Sequence, residues 1–269
     1  MKEQAVGFGP LAGVLTEPEV PRLGAPAALM WNVGINHRVG AYRIWVDLSR
    51  RLAKQGITSL RFDLAGMGDS DLRKTANDDP DRALDLEEAM AFVTKRTGIE
   101  RFAPVGFCSG VDQLHALGLR EPRVVAMAYV EGYAWPTPGH RLRAGLKYLR
   151  GPYWAWRLER LKRHKTNAVD PERAESAAGA DMFSRKELGP KQFAAELRQL
   201  LARKVKLFFA YFGIQTSFNH ERQFEEMTGI APGGDLTLHF QGGADHILYR
   251  TEDRQLTIER LARWYGAIC

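Results

Sequence analysis

A mostly parallel β-sheet covered by helices on both faces, an α/β fold, is what this sequence predicts. Short apolar runs of strand length alternate with segments of helical period along most of the chain. Glycines and Gly/Asp clusters stop both kinds of segment. Such alternation suits strands buried on both sides and joined by crossover helices.

The elements follow in order. Ala5–Thr16, punctuated by Gly7, Gly9-Pro10 and Gly13, reads as an antiparallel hairpin at the sheet edge. Ala27–Val33 is an apolar strand run ending at Gly34. From Ala41 to Gln55, Ile44, Leu48, Leu52 and Ala53 recur at helical spacing until Gly56 stops them. Thr58–Phe62 is the next strand and runs into the turn cluster Asp63-Leu64-Ala65-Gly66-Met67-Gly68-Asp69-Ser70. A helix falls near Asp81 to Arg96, where Leu84, Leu86, Met90 and Phe92 alternate with acids. Strand Phe102–Phe107, helix Ser109–Leu119 and strand Val124–Val130 come next.

Residues 134–203 break this rhythm with a basic, Trp-rich helical stretch. The order resumes with strand Val205–Phe212, helix Phe218–Met227, strand Asp235–Gln241 and a last helix from Thr251 to Ala267. Because strand periodicity continues after it, the insertion is expected to be a cap, not a separate domain. The expected core is 1–133 with 204–269, and the expected cap is 134–203.

Composition excludes several classes. With 269 residues, 45% hydrophobic and 26% charged, the chain is neither disordered, collagen-like nor coiled-coil. No run approaches the roughly 18 apolar residues of a membrane span, and mean hydropathy is −0.32. Met1-Lys2-Glu3-Gln4 is followed by nothing resembling a signal peptide. Two cysteines, Cys108 and Cys269, cannot form a disulfide framework and suggest a reducing, cytoplasmic setting. The net charge of +6 concentrates between His140 and Lys165, a block suited either to an anionic ligand or to a solvated helix face. Nucleic acid is not expected, because the block lies in the cap and no recognition fold is apparent.

The chemistry concentrates at Gly106-Phe107-Cys108-Ser109-Gly110, where a strand passes into a helix. This is the small-x-nucleophile-x-small form of a nucleophile elbow, with cysteine as the nucleophile. The residues two before and two after must be small because backbone segments crowd there. The helix N-terminus then points its amides at the site, favouring a thiolate and later an oxyanion. Gly242-Gly243-Ala244-Asp245-His246 follows the last strand and can present an imidazole at the sheet's carboxyl edge. A nucleophile followed by a late histidine is the order that goes with such an elbow.

These motifs, with Gly34-Ile35-Asn36-His37-Arg38-Val39-Gly40 and the Asp63–Ser70 cluster, make the resemblance specific. The sequence resembles the α/β-hydrolase superfamily along nearly its whole length. Within it, the chain is similar to cysteine-nucleophile hydrolases associated with exosortase-type polysaccharide gene clusters. The resemblance implies an eight-stranded sheet, a cap after the sixth strand, and acyl chemistry at Cys108 and His246. It also implies an oxyanion hole from the backbone amides of Ile35 and Ser109, each such donor being worth about 3 kcal/mol.

The sequence departs from the family at the third catalytic member. An aspartate is expected after the seventh strand, yet Tyr211–Asn219 holds no carboxylate. Either Gln215, aligned with the missing acid, or Glu131, just after the sixth strand, takes its place. A cysteine tolerates the loss better than a serine, because thiol and imidazole already favour an ion pair and a neutral amide can orient the ring. Asp245 is expected to cap its own loop.

The Asp63–Asp69 cluster lacks the ligand spacing of a metal loop, and no nucleotide-binding glycine motif opens a helix, so neither metal nor cofactor is expected. The expected substrate is an ester or thioester, met by His37, Arg38, Trp135 and Trp154. Its acyl group could be carried on coenzyme A or an acyl carrier protein, given the basic cap. Two alternatives stay open: acyl transfer to an amine, alcohol or sugar, and a non-catalytic binding role.

Overall fold

The computed structural model describes residues 1–31, 36–73, 82–148, 188–213 and 217–269. Within them lie β1 (Lys2–Phe8), β2 (Leu11–Glu17), β3 (Ala27–Trp31), β4 (Ser59–Phe62), β5 (Phe102–Phe107), β6 (Ala126–Val130), β7 (Lys206–Phe212) and β8 (Leu236–Gln241). They form one sheet in the order β1-β2-β4-β3-β5-β6-β7-β8. The N-terminal hairpin is antiparallel to its neighbours, and every pairing from β4 onward across the sheet is parallel.

The helices described are α1 (Ile44–Ala53), α2 (Ala83–Thr97), α3 (Gly110–Arg120), α4 (Pro138–Tyr148), α5 (Pro190–Ala202), α6 (Arg222–Thr228) and α7 (Thr251–Ile268). The apolar strand runs divide between two cores with a period of two, since successive side chains point to opposite faces. Leu207, Phe209 and Tyr211 of β7 join α2, α3, α5 and α6 on one face. Phe208, Ala210 and Phe212 join α1 and α7 on the other. This is why the central strands carry no polar face: β3, β5 and β6 are buried at every position.

Two helices start later than their periodicity suggests. The expected helix from Ala41 opens with a single tight turn in which Tyr42 and Arg43 are left-handed, so α1 begins at Ile44. Crowding dictates this entry: a Cβ on Gly40 would lie 2.8 Å from both Ile44 and Trp45. Trp45 is fixed in turn by its indole N–H, which donates to the Trp31 carbonyl at 3.0 Å.

The helix expected from Phe218 begins instead at Arg222. Phe218 is drawn into the core and stacks on Tyr211 at 3.9 Å between ring centroids. Fully buried Gln223 takes over the backbone groups of that incoming loop. It donates to the carbonyls of Ser217 and Trp135 and accepts from the Asn219 amide.

Between β6 and β7, α4 and α5 are the described parts of the basic insertion. Helix α4 is held to α6 by Arg143, whose guanidinium meets Glu226 at 2.7 Å, and by a Thr137 hydroxyl bond to the same carboxylate. Helix α5 buries Phe193, Leu197 and Leu200 in the main core. Residues 149–187, which hold most of the basic block and Trp154, lie outside the described residues. Among the described residues, no helix is long and apolar enough to cross a membrane.

Candidate active site

Strand β5 turns into α3 at Cys108, which adopts a left-handed φ of 50°. A non-glycine residue held there carries strain on the order of 1 kcal/mol or more. Neighbouring backbone enforces the turn. The Cys108 amide donates to the Val130 carbonyl at 2.9 Å, and the Cys108 carbonyl accepts from the Val111 amide at 3.2 Å. The glycine requirement is equally physical: a Cβ on Gly106 would lie 2.7 Å from the Gly110 carbonyl oxygen. Ser109 follows in right-handed conformation and leads into α3, leaving the helix start beside the sulfur.

Glu131 is the first residue beyond β6 and is also left-handed, with φ 52°. Its side chain is 3% exposed and spans two neighbours. One oxygen accepts the Phe212 amide at 2.5 Å, and the other lies 3.0 Å from His246 Nδ1. The Glu131 amide donates to the Ala210 carbonyl at 2.8 Å, so main chain and side chain are both tied to β7.

His246 sits in the loop after β8. Asp245 shapes that loop as expected, its carboxylate accepting the amides of Ile247 and Tyr249. The ring lies 5.5 Å from that of Phe107 and hydrogen-bonds the Cys108 side chain. Burial pulls the imidazole's pKa down, but the hydrogen bonds to Cys108 and Glu131, with their negative charge, outweigh it. The result is a pKa raised to about 9. An imidazolium held between a sulfur and a carboxylate is what stabilises a thiolate.

Three predicted residues, Cys108, His246 and Glu131, therefore meet. Ile35 and Gln215, the other candidates for the oxyanion hole and the acid's place, lie outside the described residues, as does Trp154. Trp135 is part-buried and stacks on Tyr133, with centroids 5.9 Å apart and planes 3° from parallel. His37 is exposed. Arg38 is committed within the protein: its guanidinium bridges the carboxylates of Asp63 and Asp69, the latter at 2.6 Å. His37, Asp63 and Asp69 offer ligand atoms within 4.8 Å of one another, but the Arg38 cation already occupies the space between the two carboxylates.

One contributor was missed at the sequence level. The Phe212 amide, which orients Glu131, is a backbone group on the neighbouring strand and leaves no side-chain signature. The only hint is Gly132, directly after Glu131, a break of the kind that ends strands.

No family model and no curated protein matches the chain. Solved structures do. An esterase from Pyrococcus furiosus matches with a TM-score of 0.61 at 16% identity, over 98% of this chain and 92% of that one. The esterase domain of a Rhodothermus marinus protein matches with a TM-score of 0.58 at 18% identity, over 99% of both chains. A proline iminopeptidase from Mycobacterium smegmatis matches with a TM-score of 0.55 at 17% identity, again over 99% of both. Sheet order, elbow and this full-length likeness agree: the chain has the α/β-hydrolase fold.

Proposed function

We propose that the protein is a cysteine-nucleophile hydrolase acting on an ester or thioester. The observation that carries this reading is the chain of contacts from Cys108 through His246 to Glu131 at the elbow. The Cys108 thiolate attacks the carbonyl carbon, and the new C–S bond forms as the carbonyl π pair moves onto oxygen. The amides of Ser109 and, by the resemblance, Ile35 would receive that oxyanion. The carbonyl re-forms, the bond to the leaving oxygen or sulfur breaks, and the His246 imidazolium gives its proton to the leaving group. Neutral His246 then takes a proton from water, whose oxygen attacks the acyl-cysteine and expels the thiolate. Glu131 orients the ring and favours its charged form throughout.

Residues 134–203 serve in this reading as the cap over the site. Trp135 and Trp154 would contribute aromatic surface, with His37 on the rim of the same mouth, while Arg38 would reach a ligand only by leaving Asp63 and Asp69. The basic block would suit the phosphates of coenzyme A or the phosphopantetheine arm of an acyl carrier protein. An amine, alcohol or sugar replacing water in the second half would make the same intermediate serve acyl transfer.

The test is intact-protein mass after brief exposure to p-nitrophenyl acetate and to acetyl-coenzyme A, with Cys108→Ala in parallel. We expect an acetyl adduct on the wild type alone, discharged by water. Faster discharge by added amine or alcohol would identify a transferase. No adduct and no turnover, while iodoacetamide still labels Cys108, would replace this reading with a binding role.

A further inference from the structure

His246 rides on a tight turn whose shape is set from within but whose place is not. The Leu248 amide donates to the Asp245 carbonyl at 3.2 Å, which makes His246 and Ile247 the two central residues. The Asp245 carboxylate accepts the amides of Ile247 and Tyr249 and stiffens the same stretch. These bonds would keep their geometry if the whole turn swung as a unit. Ties to the rest of the molecule must therefore decide where the imidazole stands.

Arg254, in the first turn of α7, makes such ties. Its guanidinium donates to the Leu248 carbonyl at 2.9 Å and to the Tyr249 carbonyl at 3.3 Å. A further bond, to Thr251 Oγ1 at 3.3 Å, returns to its own helix. Among the described residues it forms no ion pair, and its Nε is buried without a hydrogen-bond partner. A cation this close to a helix N-terminus also opposes the helix dipole. Neither ion pairing nor helix stability explains the residue; its grip on two main-chain carbonyls does.

The grip is braced from α1. Tyr42, in the turn leading into that helix, meets Tyr249 edge to face with ring centroids 5.7 Å apart. The Arg254 guanidinium lies over the Tyr42 ring at 5.6 Å from its centre. Tyr42 holds a left-handed φ of 47°, a conformation that strains a bulky side chain. Leu248, at φ 56°, is strained in the same sense and buries its side chain in the core shared with α1 and α7. Both strained residues are thus held where they fix the histidine turn.

We propose that Arg254 is a positioning residue for His246: with Tyr42 set against Tyr249, it fixes the turn so that the imidazole faces Cys108. This rests on the reading of Cys108 and His246 as a catalytic pair. The contacts run to the main chain of the loop and to Tyr249, so their effect on the chemistry passes through the imidazole.

The test is the pH profile of Cys108 alkylation by iodoacetamide, followed by peptide mass so that Cys269 does not contribute. A thiolate is favoured by an aligned imidazolium, and without one a thiol titrates near its free value of about 8.5. Wild type should titrate below that value. Arg254→Met removes the donors and keeps an apolar stem, and its midpoint should rise by about half a pH unit or more. Tyr42→Gly removes the bracing ring and the backbone strain but changes no charge, so a rise there comes from position alone. It also serves if Arg254→Met does not fold. Arg263→Gln, at an exposed cation further along α7, should leave the midpoint where it is. An unmoved midpoint in either of the first two variants that folds, or an equal rise in Arg263→Gln, overturns the proposal. A wild-type midpoint already at the free-thiol value sinks the catalytic pair and this inference with it. A wild type that acetylates with p-nitrophenyl acetate, beside variants that keep its profile, sinks this inference alone. A profile that shifts in the variants of a protein forming no acyl adduct upholds the positioning and fails the hydrolase reading.

Discussion

Glu131 and His246 stand 115 residues apart in the chain and meet at 3.0 Å, carboxylate to Nδ1, where β6 and β8 end at the same edge of the sheet. Strand β7 lies between them and supplies the Phe212 amide that aims the carboxylate. Parallel register brings the ends of β6 and β8 to one edge, and the loop after β8, pinned by the Asp245 carboxylate, carries the imidazole the rest of the way.

Removing the carboxylate's charge has a directional consequence. With Glu131 in place, His246 stays protonated up to about pH 9, so in the proposed mechanism the acid that protonates a leaving group is present at neutral pH and is lost as pH rises through that value. In Glu131→Gln the imidazolium loses one of its two negative neighbours. The alkaline limb of kcat/KM for a poor leaving group should move to lower pH, and acylation at pH 7.5 should fall by roughly 10²-fold. A pH–rate profile of both proteins checks this; an unmoved limb removes Glu131 from the catalytic chain.

The elbow sets a steric limit. Gly106→Ala places a methyl group 2.7 Å from a backbone oxygen, which no side-chain rotation can relieve. We expect a loss of about 1–3 kcal/mol in urea unfolding, as for overpacked cores. Activity should fall further than stability, because the crowded atom belongs to the residue two past Cys108.

The tie between α4 and α6 is also titratable. Arg143 and the Thr137 hydroxyl hold the Glu226 carboxyl well below its usual range, at about 2, against a smaller opposing effect of burial. A depressed carboxylate pKa adds stability above the unfolded value near 4.5, and that gain disappears as pH falls through about 2. Wild type should therefore exceed Glu226→Gln by on the order of 1 kcal/mol at pH 7, a modest figure for a part-exposed pair. The gap should shrink steadily below pH 4.5. Equal stabilities at pH 7 would show that the ion pair contributes nothing.

Much of this was legible in the sequence because it depends on pattern. The parallel sheet, the elbow at Cys108 and the loop histidine each leave a local signature of apolar runs, paired glycines or a Gly-rich turn. The choice between Glu131 and Gln215 could not be made from pattern alone, since it depends on which side chain the strand register brings to His246. The structure places Glu131 there; Gln215 is outside the described residues. The late starts of α1 and α6 were hidden for a related reason. Tertiary crowding around Trp45 and the burial of Phe218 override a helical period that is present in the sequence. The Asp63–Arg38 clamp was half visible, as an aspartate in a turn and an arginine in a loop, with nothing local to join them.

The position of β8 has a further consequence. Cys108 is carried by β5, in the middle of the sheet with a strand on each side, whereas His246 hangs from β8, the last strand in the sheet order, whose one neighbouring strand among the described residues is β7. Edge elements open at lower free energy than central ones. Heating should therefore separate His246 from Cys108 while most of the sheet is still intact. Inactivation would precede loss of circular dichroism, and on cooling from that interval activity should return without any need to refold the core.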